Sequence, residues 1–258
     1  VSAAWLNEAG GLRYHLRGLR YAESLWQPFR LELAEWLYAW EPPEKKLVVV
    51  GASGGWCVQP FFYERFTEVL CLEPDPVAHF FFRRRLARAP LEARPRLRFE
   101  RRDHLLADPT ALLRVLEAEG DTALLFTNIL GQLRVLLGAE TADDPRFAAV
   151  RAVVGQATQG RSWASFHDRV SGSVEPELAT ALHADARLPD AELLRRFFPA
   201  LERGAVRGDG AGELLDHFTA GFFPPARPHA YFYWPLMPGV FHVIEATRGV
   251  RGDAAARD

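Results

Sequence analysis

Hydrophobic positions along this chain fall into two periods. Runs of a strand's length stand at residues 47–50, 69–72, 97–100, 123–126 and 162–166. Between them the spacing becomes helical, over 58–66, 77–88, a segment opened by Asp108-Pro109-Thr110, and 147–154. In the third of these, Leu112, Leu113, Val115 and Leu116 form the core side. Ahead of the first strand two helices are predicted. One carries Leu12, Leu16 and Leu19 at helical spacing. The other starts near Trp26 or Pro28 and lays out Phe29, Leu33, Trp36, Leu37 and Trp40 as an apolar stripe. Residues 170–229 read as helices rather than strands, with 213–218 among the helical segments and Pro189-Asp190 opening another. Two last strands, 230–234 and 240–246, are joined by a connection too short for anything but an antiparallel hairpin.

Five strand–helix alternations followed by a hairpin predict an α/β fold. The expected architecture is a doubly wound, mostly parallel seven-stranded sheet with an antiparallel last strand and a helical N-terminal lid. The lid is expected over residues 1–41 and the Rossmann-like domain over 42–250, with 170–229 inserted between strands five and six. The polar tail 251–258 is expected to fray.

Composition narrows the partners more than the fold. An apolar content of 48% supplies a large core, and a net charge of −2 gives no general attraction to nucleic acid or an anionic membrane. Arg13, Arg17 and Arg20 share a helix face, either simply solvated or an anion-contacting lid. No run of 18 apolar residues and no leader-like N-terminus is present, so no membrane span or signal peptide is expected. The two cysteines, Cys57 and Cys71, sit in apolar segments and read as buried thiols of a reducing cytosol, which makes a cytoplasmic location the expectation.

The chemistry is concentrated at the end of the first strand. Val48-Val49-Val50 runs into Gly51-Ala52-Ser53-Gly54-Gly55. Glycine permits positive φ and a close approach of ligand to backbone. In nucleotide-binding α/β folds an acidic residue follows about 20 residues later, at the end of the second strand. Glu73 stands there, after Val69-Leu70-Cys71-Leu72. Loop, spacing and second strand agree.

With these residues the chain resembles the class I S-adenosylmethionine-dependent methyltransferases over roughly residues 26–248. The resemblance implies S-adenosylmethionine as cofactor and methyl transfer to a small or medium acceptor. It implies that Gly51, Ala52, Ser53 and Gly55 wrap the methionine part, and that Glu73, with Pro74 beside it, holds the ribose hydroxyls. Asp103 and His104 follow strand three, where that superfamily meets the adenine. Asn128 and Ile129 follow strand four, facing the methionine end and the acceptor. Two departures stand out: Val49 replaces an acidic residue two before the first glycine, and Ser53 replaces the second glycine. The four-residue motif of nucleic-acid base amino-methylases is absent after strand four, where Thr127-Asn128-Ile129-Leu130 stands.

Methyl transfer from a sulfonium needs positioning and dehydration above all, and a base only when the acceptor must lose a proton early. Candidate catalytic groups are Asn128, Gln132, His167 and Asp168, the last two expected beyond strand five near the acceptor mouth. Asp216-His217 admits a base or metal reading or a packing role, and no Cys/His spacing points to zinc, so no metal is expected. Two other functions stay open. One is a methyltransferase-like binding module without activity. The other is a nicotinamide-dependent oxidoreductase, disfavoured because Cys57 occupies a glycine position of the short-chain dehydrogenase loop. That family's Tyr–Lys pair also cannot form, because both lysines, Lys45 and Lys46, precede the loop.

Overall fold

The computed structural model describes residues 11–202 and 214–252. The glycine-rich stretch 204–212, and most of the tail expected to fray, lie outside the described residues. In chain order the elements are α1 (Gly11–Tyr21), α2 (Gln27–Tyr38), β1 (Lys46–Val50), β2 (Glu68–Leu72), α3 (Pro76–Arg88), β3 (Arg96–Glu100) and α4 (Thr110–Glu119). They continue with β4 (Ala123–Thr127), α5 (Ile129–Leu137), α6 (Pro145–Thr158), β5 (Trp163–Gly172), β6 (Leu182–Ala184), α7 (Asp190–Phe197) and α8 (Pro199–Glu202). The chain closes with β7 (Leu214–Asp216), β8 (His229–Met237) and β9 (Val240–Gly249).

The sheet order is β3-β2-β1-β4-β5-β9-β8-β6, with β7 attached to β5. Strands β1 to β5 are parallel, and β9 inserts antiparallel between β5 and β8. This is the doubly wound, Rossmann-like order that the methyltransferase resemblance implied, with nine strands among the described residues instead of seven. Period-two alternation explains why both faces are covered. Leu47, Val49, Val69, Cys71, Ala123 and Leu125 enter one apolar cluster with α2 and α3. Val48, Val50, Leu70, Leu72, Leu124 and Phe126 enter the other, with α4, α5 and α6.

The apolar stripe of α2 is buried as its spacing predicts. Phe29 stacks on Trp234 of β8 at 5.1 Å, and Trp36 meets Phe232 edge-on. So α2 is a layer of the core. The leucines of α1 behave otherwise: Leu12, Leu16 and Leu19 are 46%, 55% and 59% exposed. That helix turns Tyr14, His15 and Gly18 inward, and a Cβ on Gly18 would lie 2.5 Å from the Trp56 ring.

Four expectations are corrected. The crossover predicted over 58–66 is a 3₁₀ helix, Pro60–Arg65. Trp56, Cys57 and Val58 are spent on burial beneath the glycine loop, and the tighter, longer-rising 3₁₀ turn spans what remains before β2. Strand five extends six residues beyond Phe166, because β9 pairs along its whole length from Trp163↔Gly249 to Gly172↔Phe241. His167 and Asp168 therefore lie within a strand rather than after it. The 170–229 region holds strands as well as helices: β6 adds to β8 and β7 adds to the end of β5. Residues 214–216, expected to be helical, are extended because Val170–Gly172 offers them a free edge. Finally, β8 and β9 run up to Met237 and Val240, leaving Pro238-Gly239 as the turn, with Gly239 at φ +75°.

Candidate functional site

The carboxyl ends of β1, β2 and β4 open into one cavity of about 910 Å³, at the place where the strand order reverses. Its size is at the top of the range usual for small-molecule sites. The glycine loop forms one wall. Gly51, Ser53 and Gly55 have φ of +76°, +47° and +68°, so Ser53 takes the left-handed conformation a glycine would hold with less strain. Gly51 has a second reason to lack a side chain: a Cβ there would stand 2.7 Å from that of Ile129.

Glu73 and the loop meet in this cavity. Oε2 of Glu73 accepts the Ser53 N–H at 2.7 Å, and Oε1 accepts the Asp75 N–H at 3.0 Å. Burial raises the Glu73 carboxyl above its ordinary range, partly offset by those two backbone donors. Asp75 caps α3 through the Val77 N–H and also takes His15 Nε2 at 3.0 Å, which ties α1 to the site. Trp56 does not fill the hollow. Its indole N–H donates to His15 Nδ1 at 3.0 Å, underneath α1.

Of the residues expected to hold the cofactor, Gly51, Ser53, Glu73, Pro74, Asp103, His104, Asn128 and Ile129 line the cavity. Ala52 is buried in the core instead, and Gly55 backs onto Phe82. Asp103 is held by the Leu105 and Leu106 N–H groups at 2.9 and 2.7 Å. His104 contacts Glu100 at 3.1 Å through Nε2, and its buried Nδ1 has no partner among the described residues.

The far end of the cavity is polar for a different reason. Asn128 sits at φ +59° at the turn from β4 into α5. Its side chain clamps Asp168 twice: Nδ2 donates to Oδ2 at 3.0 Å, and Oδ1 accepts the Asp168 N–H at 2.7 Å. Gln132 also donates to Asp168 Oδ2. A Cβ on Gly131 would lie 2.4 Å from the Asp168 nitrogen, so this glycine lets α5 press against β5. Asp168 Oδ1 accepts from His242 Nδ1 at 2.8 Å. Beside that pair, His217 contacts the Gly131 carbonyl at 2.5 Å through Nδ1 and Ser171 Oγ at 2.8 Å through Nε2. Asp168, His217 and His242 bring one polar atom each to within 4.8 Å of one another.

The electrostatics of this end follow from burial and pairing. Burial pushes the Asp168 carboxyl up, but His242, His217 and the Asn128 amide outweigh it and hold the group down at about 2. Burial lowers His217, so its ring is neutral near pH 7.

Of the candidate catalytic groups, Asn128 and Gln132 line the cavity, and Asp168 is fully buried behind them. His167 is on the opposite face of β5, stacked near Phe223 and bonded to Ser165, and does not reach the cavity. Sequence reading passed over His242, Ser171 and Trp234. The available signal was a histidine inside the apolar run Phe241-His242-Val243-Ile244, where a lone polar side chain must find a partner.

No family model matches this chain, and no curated protein matches it. Solved structures do. One is the magnesium protoporphyrin IX methyltransferase of Synechocystis with bound SAH, 12% identical, with 93% of this chain and 90% of that chain covered and a TM-score of 0.44. Another is a SAM-dependent methyltransferase from Anabaena variabilis, 11% identical, 90% and 91% covered, TM-score 0.43. The methyltransferase domain of a bacterial Hen1 is 15% identical at a TM-score of 0.32; the chain covers 49% of itself and 58% of that domain. At these identities the reading of the site rests on its own residues. Among the described residues no helix is long and apolar enough to cross a membrane.

Proposed function

We propose that this protein transfers a methyl group from S-adenosylmethionine to a small or medium acceptor. The observation that carries the reading is the convergence of Glu73 and the Ser53 backbone at the switch point of a doubly wound sheet, inside a cavity that continues to a second polar end. The residues present fit the group. Glu73 can accept from a pair of vicinal hydroxyls, as an ionised carboxylate has sites left after two backbone donors. The unpartnered Nδ1 of His104 awaits a polar edge near Asp103. When bound, the sulfonium supplies an activated methyl with a neutral leaving group. Glu73, Asp75 and Asp103 outnumber Arg17 and Arg102 on the cavity wall, which suits a ligand with a net positive charge.

The chain's own part is to orient and to dry. Asn128 and Gln132 line the cavity and hold Asp168 behind them, while Leu12 and Tyr14 of α1 form part of the wall. The acceptor is read as a small molecule because a cavity of about 910 Å³ has the size of a small-molecule site. Two free buried thiols suit the cytoplasm.

Titration calorimetry with S-adenosylmethionine tests this, with NAD as the control. Glu73→Ala should weaken binding by about 1.5–3 kcal/mol, the loss expected for hydrogen bonds to a charged group. A folded wild-type protein that binds NAD, or neither ligand, overturns the reading. Affinity should also fall as pH drops from neutral through the raised Glu73 range, because protonation removes acceptor sites from the cavity.

A further inference from the structure

We infer that His242 is the general base of the reaction, positioned by Asp168, and that the acceptor is an apolar molecule carrying an ionisable hydroxyl. This rests on the methyltransferase reading above. The argument begins with the hydrogen bonds. Asp168 stays ionised and can only accept, so His242 Nδ1 must carry the proton of their 2.8 Å bond. The lone pair of the neutral ring is then on Nε2. The ring lines the cavity, and with Nδ1 taken by Asp168 it is Nε2 that is left to face the acceptor. His217 is set the other way. The Gly131 carbonyl fixes its proton on Nδ1, and its Nε2 accepts from Ser171, so that ring is already committed.

The groups facing His242 from each side agree with a base. Asp168 comes from β5, neutral His217 follows β7 with Asp216 beside it, and Trp234 of β8 packs on the ring at 5.4 Å. Tyr14 of α1 stays protonated, its phenol pushed well up by burial, and Arg17 lines the same cavity. The Asp168 carboxylate, bonded to Nδ1, is the counter-charge beside the imidazolium that forms.

The hydroxyl follows from what a base is for. An uncharged amine attacks a methyl group without prior loss of a proton, whereas a neutral hydroxyl is a weak nucleophile until one is removed. In the step, the hydroxyl proton passes to Nε2 of His242 and the oxygen bonds to the methyl carbon. The methyl–sulfur bond breaks with its electron pair left on sulfur, and the imidazolium later returns its proton to water. The apolar body follows from the mouth, where Leu12, Val135 and Leu136 are 46%, 44% and 37% exposed and line the entrance.

The test uses 4-nitrophenol, whose ionisation is visible, added to the S-adenosylhomocysteine-loaded protein. Bound nitrophenol should ionise at a pH lower by about one unit or more than in water, because its proton is taken by a base held beside a carboxylate. His242→Gln should abolish that shift, and Asp168→Asn should reduce it, while calorimetry shows S-adenosylhomocysteine still binding to both. Ionisation as in water, ionisation unchanged in His242→Gln, or no binding of the phenol each overturns the inference. So does a shift that a chelator removes and Zn²⁺ restores, which would assign the cluster to a cation. Failure to bind S-adenosylhomocysteine at all sinks the methyltransferase reading instead, so the two failures are distinguishable.

Discussion

Strands β5 and β9 carry two buried charged clusters on opposite faces, built from neighbouring residues and put to different ends. On one face Asp168 and His242 meet beside the cavity. On the other, Glu245 is surrounded by Arg169, Arg187 and His229, at 3.3, 2.9 and 3.2 Å. Arg169 is 1% exposed and also contacts Asp190 and, at 3.1 Å, Asp216. The sealed cluster is closed to the cavity: Arg169 and Glu245 are 1% and 2% exposed and line no part of it, and only the outer carboxylates Asp190 and Asp216 reach towards the surface. The cavity cluster fixes one nitrogen of His242 and leaves the other to face a ligand. Similar residue types thus give an internal tie in one case and a reactive group in the other, and access to the cavity is what separates them.

The sharpest way to break this contrast is to remove the hub of each cluster. Glu245→Leu takes the closest counter-charge from partly buried Arg187 and leaves Arg169 with only the more exposed Asp190 and Asp216, and should cost about 3 kcal/mol of stability, read from the urea midpoint. His242→Leu removes a ring from a cavity wall that water can reach, and should cost far less. Equal losses would mean that both clusters are structural.

Acid should act on the sealed face first. Burial holds His167 down at about 4, below the ordinary histidine value near 6.5. The unfolded chain therefore binds this proton over a pH range where the folded chain does not. The stability that neutral His167 secures is complete above about pH 6.5 and is lost progressively as pH falls from there to about 4. At pH 4.5 the loss from this residue is roughly 2–3 kcal/mol. Asp168 and Glu245, both held near 2, keep their charges throughout that interval. His167→Asn should flatten the slope of urea stability between pH 7.5 and 4.5, and an unchanged slope would place the titration elsewhere.

How far the sequence reached has a physical pattern. Local signals were sufficient where one residue's conformation or one strand's alternation decides the outcome: the glycine loop, Glu73 at the end of β2, the period-two runs of β1, β2 and β4, and the stripe of α2. They failed where a partner far along the chain decides. His167-Asp168-Arg169 looks like a polar turn until Ile244 and Glu245 pair beside it. Leu214-Leu215-Asp216 has a helix's composition but is held extended by Val170 to Gly172. The cavity's second end needed residues 128, 168, 217 and 242 together, and no spacing along the chain announces such a set. The leucines of α1 misled for a related reason. Periodicity shows that a stripe exists, and only packing shows that Tyr14, His15 and Gly18 face the core instead.

The smallest expected effect gives the most direct comparison, because each face contains one serine–histidine bond. Ser165 Oγ meets His167 Nδ1 at 3.0 Å inside the sealed face, and Ser171 Oγ meets His217 Nε2 at 2.8 Å beside the cavity. Replacing either serine by alanine removes the same kind of bond. What differs is the replacement partner. Ser165 and His167 are 0% and 1% exposed, so the orphaned ring nitrogen stays dry and Ser165→Ala should cost about 1–3 kcal/mol. His217 lines the cavity, so water can take the place of the Ser171 hydroxyl, and Ser171→Ala should cost about 1 kcal/mol or less. Matched urea curves on the two variants measure the difference. If Ser171→Ala proves the costlier, the ring of His217 is not reached by solvent, and the cavity cluster has no more claim to chemistry than the sealed one.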